Sequence, residues 1–178
     1  ARVLDRARAL FRDDDEILLP TPIHEHTSER VITLEYIEGV HADEWLASKP
    51  SQEARNEYGT KILRAWFRMF YHRLNFVDIH PGNFLFRPDG RLGVIDFGSV
   101  IELNDDEWDL MRQTDRPLTT GKREHRIDFL RVWTGIEDLE KDPARLELLD
   151  KYCEWSYRSR TVEEHDYGDV EQLREGLD

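Results

Sequence analysis

Apolar positions recur at helical spacing over residues 2–12, where Val3, Leu4, Ala7, Leu10 and Phe11 share one face, and the acidic run Asp13-Asp14-Asp15-Glu16 ends that face in solvent. Residues 17–24 and 30–37 read instead as extended, the second rich in β-branched side chains, with Thr27-Ser28-Glu29 as the turn between them. A short helix is predicted over 43–48. The next helix opens at Pro50-Ser51 and carries Tyr58, Ile62, Trp66, Met69, Phe70 and Leu74 as its apolar stripe. Beyond Asp96 the pattern is helical throughout. It begins at Asn104, which makes a capping-box-like pair with Glu107, and continues over 123–133, 143–157 and 170–177. Asp142-Pro143 is a start signal, with Asp as the cap and Pro at the first helical position. No repeat or flexible linker interrupts this order.

One stretch breaks the helical pattern. Residues 84–86 and 92–95 are apolar runs around a Pro88-Asp89-Gly90 turn, which reads as a β-hairpin. Before it stands Val77-Asp78-Ile79-His80-Pro81-Gly82-Asn83; after it stands Asp96-Phe97-Gly98. Asp78 precedes Asn83 by five residues and Asp96 by eighteen. Because a hairpin returns the chain to where it started, it folds Asp96 back beside Asp78 and Asn83. Phosphoryl transfer asks for that convergence: a carboxylate to orient the attacking hydroxyl or water, and oxygen ligands that hold Mg²⁺ against the phosphates. Asp78 suits the first role, and Asn83 with Asp96 the second. Any one of these pieces alone is an ordinary turn, with Asp and Asn as turn formers. The joint spacing D-x-x-x-x-N, hairpin, D-F-G points to a kinase-like site. Upstream, Val31-Ile32-Thr33-Leu34 runs into Glu35-Tyr36-Ile37-Glu38-Gly39 at the position of a hinge, where Glu35 C=O and Ile37 N–H can pair with an adenine edge.

Composition narrows the partners. The 178 residues are one domain's worth, or one lobe and part of another. With 38 acidic against 25 basic residues the formal charge is −13, a sign that repels nucleic acid and anionic lipid. Cys153 is the single cysteine, which excludes an internal disulfide and a thiolate zinc site. No run has the length of a membrane span, and the longest apolar stretches are broken by arginine, as at Arg68 within 65–71.

The motifs 78–83, 94–100 and 34–39 resemble those of the atypical kinases named for ubiquinone biosynthesis, the UbiB, AarF-like or ADCK-type family. The tail adds weaker likenesses: Leu118-Thr119-Thr120-Gly121-Lys122-Arg123-Glu124 looks like the family's Gly-Asp-Arg-Glu link, and Tyr167-Gly168-Asp169 like its aromatic-Gly-Asp stretch. The resemblance implies an α+β, protein-kinase-like fold: residues 1–40 as a remnant of the N-lobe with the end of a helix, two strands and the hinge, and 41–178 as the helical C-lobe. It also implies ATP and Mg²⁺ as cofactors, Asp78 as the catalytic-loop aspartate, Asn83 and Asp96 as metal ligands, and Leu85 as a floor for adenine. His80 would shape the loop rather than act as a base. Family membership further implies a nucleotide partner, lipid or quinone-pathway partners, and a cytoplasmic or peripheral membrane location.

Two positions depart from the family: Phe76-Val77 stand where a small polar run ending in His-Ala is usual, and Ile79 where Pro is common. These residues also contain no Lys-x-Gly-Gln motif and no glycine-rich loop, so the segment is expected to be a truncated piece, inactive or nearly so alone. Two other readings stay open. A small-molecule phosphotransferase of the aminoglycoside or choline type shares Asp-x-His-x-x-Asn and a later Ile-Asp-Phe-Gly; a nucleotide-binding pseudokinase or regulatory module would hold the same residues without turnover.

Overall fold

The first apolar stripe folds as α1 (Arg2–Leu10) and buries Leu4 and Ala7. The computed structural model describes residues 1–118, 120–136 and 138–163, with Glu171 and Arg174. The stretch 167–169 and, apart from those two residues, the helix expected over 170–177 lie outside the described residues, as does Thr119 of the 118–124 link. Contacts divide the chain into two compact units, Ala1–Asn104 and Asp105–Asp178.

In the first unit α2 (Ala42–Ala47) precedes the long α3 (Gln52–Tyr71), whose N-terminus is capped by the Ser51 side chain accepting from Ala54 N–H at 3.2 Å. Two small sheets follow from five short strands. β1 (Ile17–Leu18) lies parallel to β4 (Leu92–Val94), which pairs antiparallel with β3 (Phe84–Phe86), so the predicted hairpin forms. The second sheet pairs β2 (Leu74–Phe76) antiparallel with β5 (Val100–Glu102). β5 corrects the expectation of a wholly helical chain after Asp96. Three residues are too few for a period-2 signal, and the strand gains its definition from β2 rather than from its own sequence.

The extended segments at 17–24 and 30–37 meet, but as a pair of bonds rather than a ladder: Ile23 N–H donates to Thr33 O and Glu35 N–H to Thr21 O, both at 2.8 Å. The N–H that would extend it, that of Thr21, donates instead to the Glu35 side-chain Oε2 at 3.3 Å. The acidic run is also less solvated than its composition suggests. Asp14 accepts from the Glu16 and Ile17 amides at 3.0 Å each and from Arg68 Nη1 at 2.6 Å and Arg64 Nη2 at 3.2 Å. Burial pushes this carboxyl up, and those amides and guanidiniums outweigh it, holding the group below its ordinary range.

One core serves this unit, with Ala7, Phe11, Ile17, Tyr58, Ala65, Met69, Leu74, Phe76, Phe84, Phe86, Leu92 and Val94 packed together. The buried face of α3 runs through Tyr58, Lys61, Ala65 and Met69, so the stripe is rotated slightly from the predicted one and includes a lysine. Lys61 lays its stem in the core and donates from Nζ to Gly90 O at 2.7 Å and to Glu57 at 2.5 Å. Tyr58 Oη donates to Arg87 O at 2.7 Å. α3 thereby pins the hairpin turn at two points.

The second unit is helical: α4 (Asp105–Leu118), α5 (Arg123–Thr134) and α6 (Pro143–Thr161). Asp142 caps α6 by accepting from Arg145 N–H at 3.0 Å, with Pro143 at the first helical position, as the sequence predicts. Leu130, Leu139, Leu146 and Cys153 form its core. Among the described residues no helix is long and apolar enough to cross a membrane. Helices and two small sheets make the architecture α+β.

Candidate active site

The loop between β2 and β3 is built on a 3-10 turn at Pro81–Asn83, entered through His80, whose Nδ1 accepts from Gly82 N–H at 3.0 Å. An accepting Nδ1 leaves the other ring nitrogen as the N–H, so the ring acts as a cap, the loop-shaping part expected of it. The turn carries Asn83 into the interior, where it is 8% exposed.

Asn83 is the node of the site. Its Nδ2 donates to the Asp78 carbonyl oxygen at 3.0 Å, and its own carbonyl accepts from Ile95 N–H at 3.0 Å, one residue before Asp96. One residue thus ties the Asp78 segment and the Asp96 segment together. With the amide nitrogen spent on Asp78, the amide oxygen is oriented away from that bond. The β2–β5 ladder ends at the pair of Phe76 with Val100, and on the β5 side a turn closed by Val100 N–H donating to Phe97 O at 3.4 Å stands between the strand and Asp96.

Asp96 is exposed, and its Oδ1 accepts from Gly98 N–H at 2.8 Å. A Cβ at position 98 would stand 3.2 Å from that oxygen, so glycine here leaves the carboxylate room. Asp78 is exposed also, and its carboxylate makes no hydrogen bond or ion pair with a described residue. Behind Asp96, Phe97 lies flat over Phe76, ring centroids 6.3 Å apart and 4° from parallel, which holds the aspartate at the end of a packed aromatic pair.

The expected adenine residues fall into two sets. Leu85 sits opposite Gly93 in the hairpin, and a Cβ on Gly93 would meet Ile37 Cγ2 at 3.1 Å and Leu85 Cβ at 3.2 Å. Glycine at 93 therefore lets the hinge segment and Leu85 share one space. Val40 bonds Phe86 in both directions, at 3.0 and 2.8 Å, which fixes the end of the hinge to β3. The Glu35 side chain stands apart, accepting from Thr21 Oγ1 at 2.6 Å, while the Glu35 carbonyl and the Ile37 amide make no hydrogen bond to a described residue. Sequence reasoning missed Arg87, which donates from Nη1 to Glu38 O at 2.6 Å and braces the 35–39 segment. Nothing in the local pattern signals a partner 49 residues away.

Among the described residues no three His, Cys, Asp or Glu side chains gather as a metal set. Asn83 and Asp96 make a pair of another kind, an amide oxygen and a carboxylate. These are hard oxygen donors, and Mg²⁺ bound with nucleotide takes few protein ligands beside phosphate and water oxygens. Asp96 keeps Oδ2 free of partners among the described residues, so the donor chemistry fits the ion.

Residues 1–122 match the ABC1 atypical kinase-like domain. The chain belongs to that family. The ABC1 match agrees with named relatives: the chloroplastic activity-of-BC1-complex kinase 3 of Arabidopsis thaliana is 32% identical over 98 residues, covering 54% of this chain and 14% of that protein. UbiB of Xylella fastidiosa, named a probable protein kinase, is 31% identical over 105 residues, 54% of this chain and 19% of its own length. The solved structure of Rv3197 from Mycobacterium tuberculosis, in complex with erythromycin, superposes with a TM-score of 0.66 at 24% identity, over 97% of this chain and 44% of that one. This likeness shows the kinase-like fold. The chain spans 14% and 19% of the length of those two relatives.

Proposed function

We propose that this ABC1-family chain carries the catalytic loop, metal ligands and hinge of an ATP- and Mg²⁺-dependent phosphotransferase or ATPase. Asn83 supports this most directly, because one buried side chain bonded to Asp78 O and one main-chain bond to Ile95 join the two acidic segments. In this reading Asp78 orients the attacking hydroxyl or water with a carboxylate that no cation among the described residues neutralises. Asn83 and Asp96 present oxygens for Mg²⁺, Glu35 C=O and Ile37 N–H pair with the adenine edge, and Leu85 lies beneath the base. Held by Asn83 and Asp96, Mg²⁺ would supply positive charge against the phosphates.

The residues 1–40 then serve as the hinge side of the nucleotide cleft and 41–178 as the catalytic-loop side. The sequence holds no phosphate-covering glycine-rich loop and no Lys-x-Gly-Gln, so we assign turnover to proteins of the relatives' length, with isoprenoid-quinone metabolism as the setting the resemblance supports. The segment itself is expected to bind nucleotide with little or no turnover.

Calorimetric titration of the chain with ATP, with and without Mg²⁺, tests this. Affinity should need the metal and fall about tenfold or more in Asp96→Asn, while Asp78→Asn binds nearly as the parent does. Failure of the parent chain to bind nucleotide with Mg²⁺ present, or an Asp96→Asn chain that binds unchanged, sinks the proposal.

A further inference from the structure

α1 is tied by charge to the strand that leaves the site. Arg2 and Arg6 stand four residues apart on one face of α1, and both reach Glu102, the last residue of β5. Arg6 Nη1 donates to Glu102 Oε2. Arg2 Nη2 lies 3.0 Å from Oε1, off the hydrogen-bond direction, so that contact is an ion pair alone. The Glu102 side chain is 23% exposed, against 46% for Arg6 and 81% for Arg2, which makes the carboxylate the fixed member and the arginines its clamp.

Glu102 lies opposite Leu74 at the far end of the β2–β5 ladder, and the neighbouring Leu103 N–H donates to Arg73 O at 2.9 Å. Both strands lead into the site from the other end. β2 reaches Asp78 two residues after Phe76, and Asp96 lies four residues before Val100. A two-stranded ladder of three pairs is marginal by itself, so what holds its outer end also sets its tilt at the inner end.

We propose that Glu102 is a positioning residue: clamped by Arg2 and Arg6, it holds β5 against β2 and so sets how Asp78 and Asp96 face each other, transmitting the attitude of α1 to the site. This rests on the nucleotide-site reading of those two aspartates.

Hydrogen exchange on the chain, with Glu102→Gln, Arg6→Glu and the swapped pair Arg6→Glu/Glu102→Arg, tests the clamp without needing nucleotide. Amides of 77–83 and 95–99 should exchange about tenfold faster in either single variant, with α3 unchanged, and return towards the parent in the swap. Mg²⁺-dependent ATP affinity should fall about fivefold in Glu102→Gln and recover in the swap. Unchanged exchange at both segments overturns the proposal, as does acceleration spread equally into α3, which marks a general loss of stability. A parent chain that binds no nucleotide but whose loops loosen in Glu102→Gln removes the nucleotide reading and leaves the clamp standing.

Discussion

Asp14 in residues 1–104 and Asp150 in residues 105–163 are each a buried carboxylate between two arginines, and the two are held in different ways. Asp14 meets Arg64 and Arg68, four residues apart on α3, and also takes the amides of Glu16 and Ile17. Those arginine side chains keep 36% and 32% of their surface open, so water serves them if the partner is lost. Asp150 accepts from Arg123 Nε at 2.8 Å and Arg126 Nε at 2.6 Å, and the Arg126 side chain is itself only 9% exposed. Asp14 is thus a loop cap that happens to be charged, whereas Asp150 and Arg126 are an ion pair with little water to fall back on. The difference follows the architecture. The first unit is knit by strand pairings between distant segments and a large aromatic core, with Asp14 at its edge; in the second, α5 and α6 pack around four core residues, and the Arg126–Asp150 pair crosses between those two helices.

The largest effect is expected where the first unit is densest. Phe76→Ala opens a cavity beneath Phe84 and Phe97 and should cost about 4 kcal/mol, read as a fall in urea midpoint. A loss near 1 kcal/mol would mean that the ladder and not the core holds this unit. Asp150→Ala comes next, at about 3 kcal/mol, because among the described residues Arg126 then stays buried with only Gly121 O at 2.9 Å and Glu154 at 3.7 Å. Cys153 reads that opening locally. Burial pushes its thiol up to about 11, so alkylation should be slow in the parent at neutral pH and faster in Asp150→Ala.

The same pair carries an acid dependence of known sign. Burial raises the Asp150 carboxyl and the hydrogen bonds from Arg126 and Arg123 outweigh it, so its folded pKa lies below its ordinary value. Its contribution is therefore complete above about pH 4, the unfolded value, and is lost as pH falls through the folded one. The gap in stability between the parent and Asp150→Asn should close below about pH 4. A gap that persists at lower pH contradicts the ion-pair account.

The contrast between local and distant contacts also explains which features are legible in the sequence. Helices announce themselves through caps and stripes, as at Ser51 and Asp142, because both signals are local. The candidate-site segments are legible because two spacings and a hairpin turn lie within twenty residues of each other. What escapes is non-local. β5 has three residues and is defined by β2; Asp14 looks like one acid among four until α3 brings Arg64 and Arg68 to it; Lys61 reads as surface until Gly90 O appears beside it. The Arg126–Asp150 pair spans 24 residues and has no motif at all.

The smallest effect concerns the join between α3 and the hairpin, which distinguishes packing from hydrogen bonding in the first unit. Tyr58 packs edge-on to Trp45 at 4.9 Å and tilted to Phe86 at 4.8 Å, and its hydroxyl donates to Arg87 O, the residue whose guanidinium bonds Glu38 O in the proposed hinge. Tyr58→Phe keeps the ring and removes one part-buried bond, while Arg87 O keeps Gly90 N–H at 3.1 Å, so the loss should be about 1 kcal/mol. Tyr58→Ala removes both and should cost about 3 kcal/mol or more. If the unit is held chiefly by its core, Tyr58→Phe shifts the denaturation midpoint slightly and leaves nucleotide affinity close to the parent's. If the hydroxyl is what keeps Arg87 against Glu38, the affinity falls while the midpoint scarcely moves, and the hinge is then positioned by hydrogen bonds on a core that merely tolerates them.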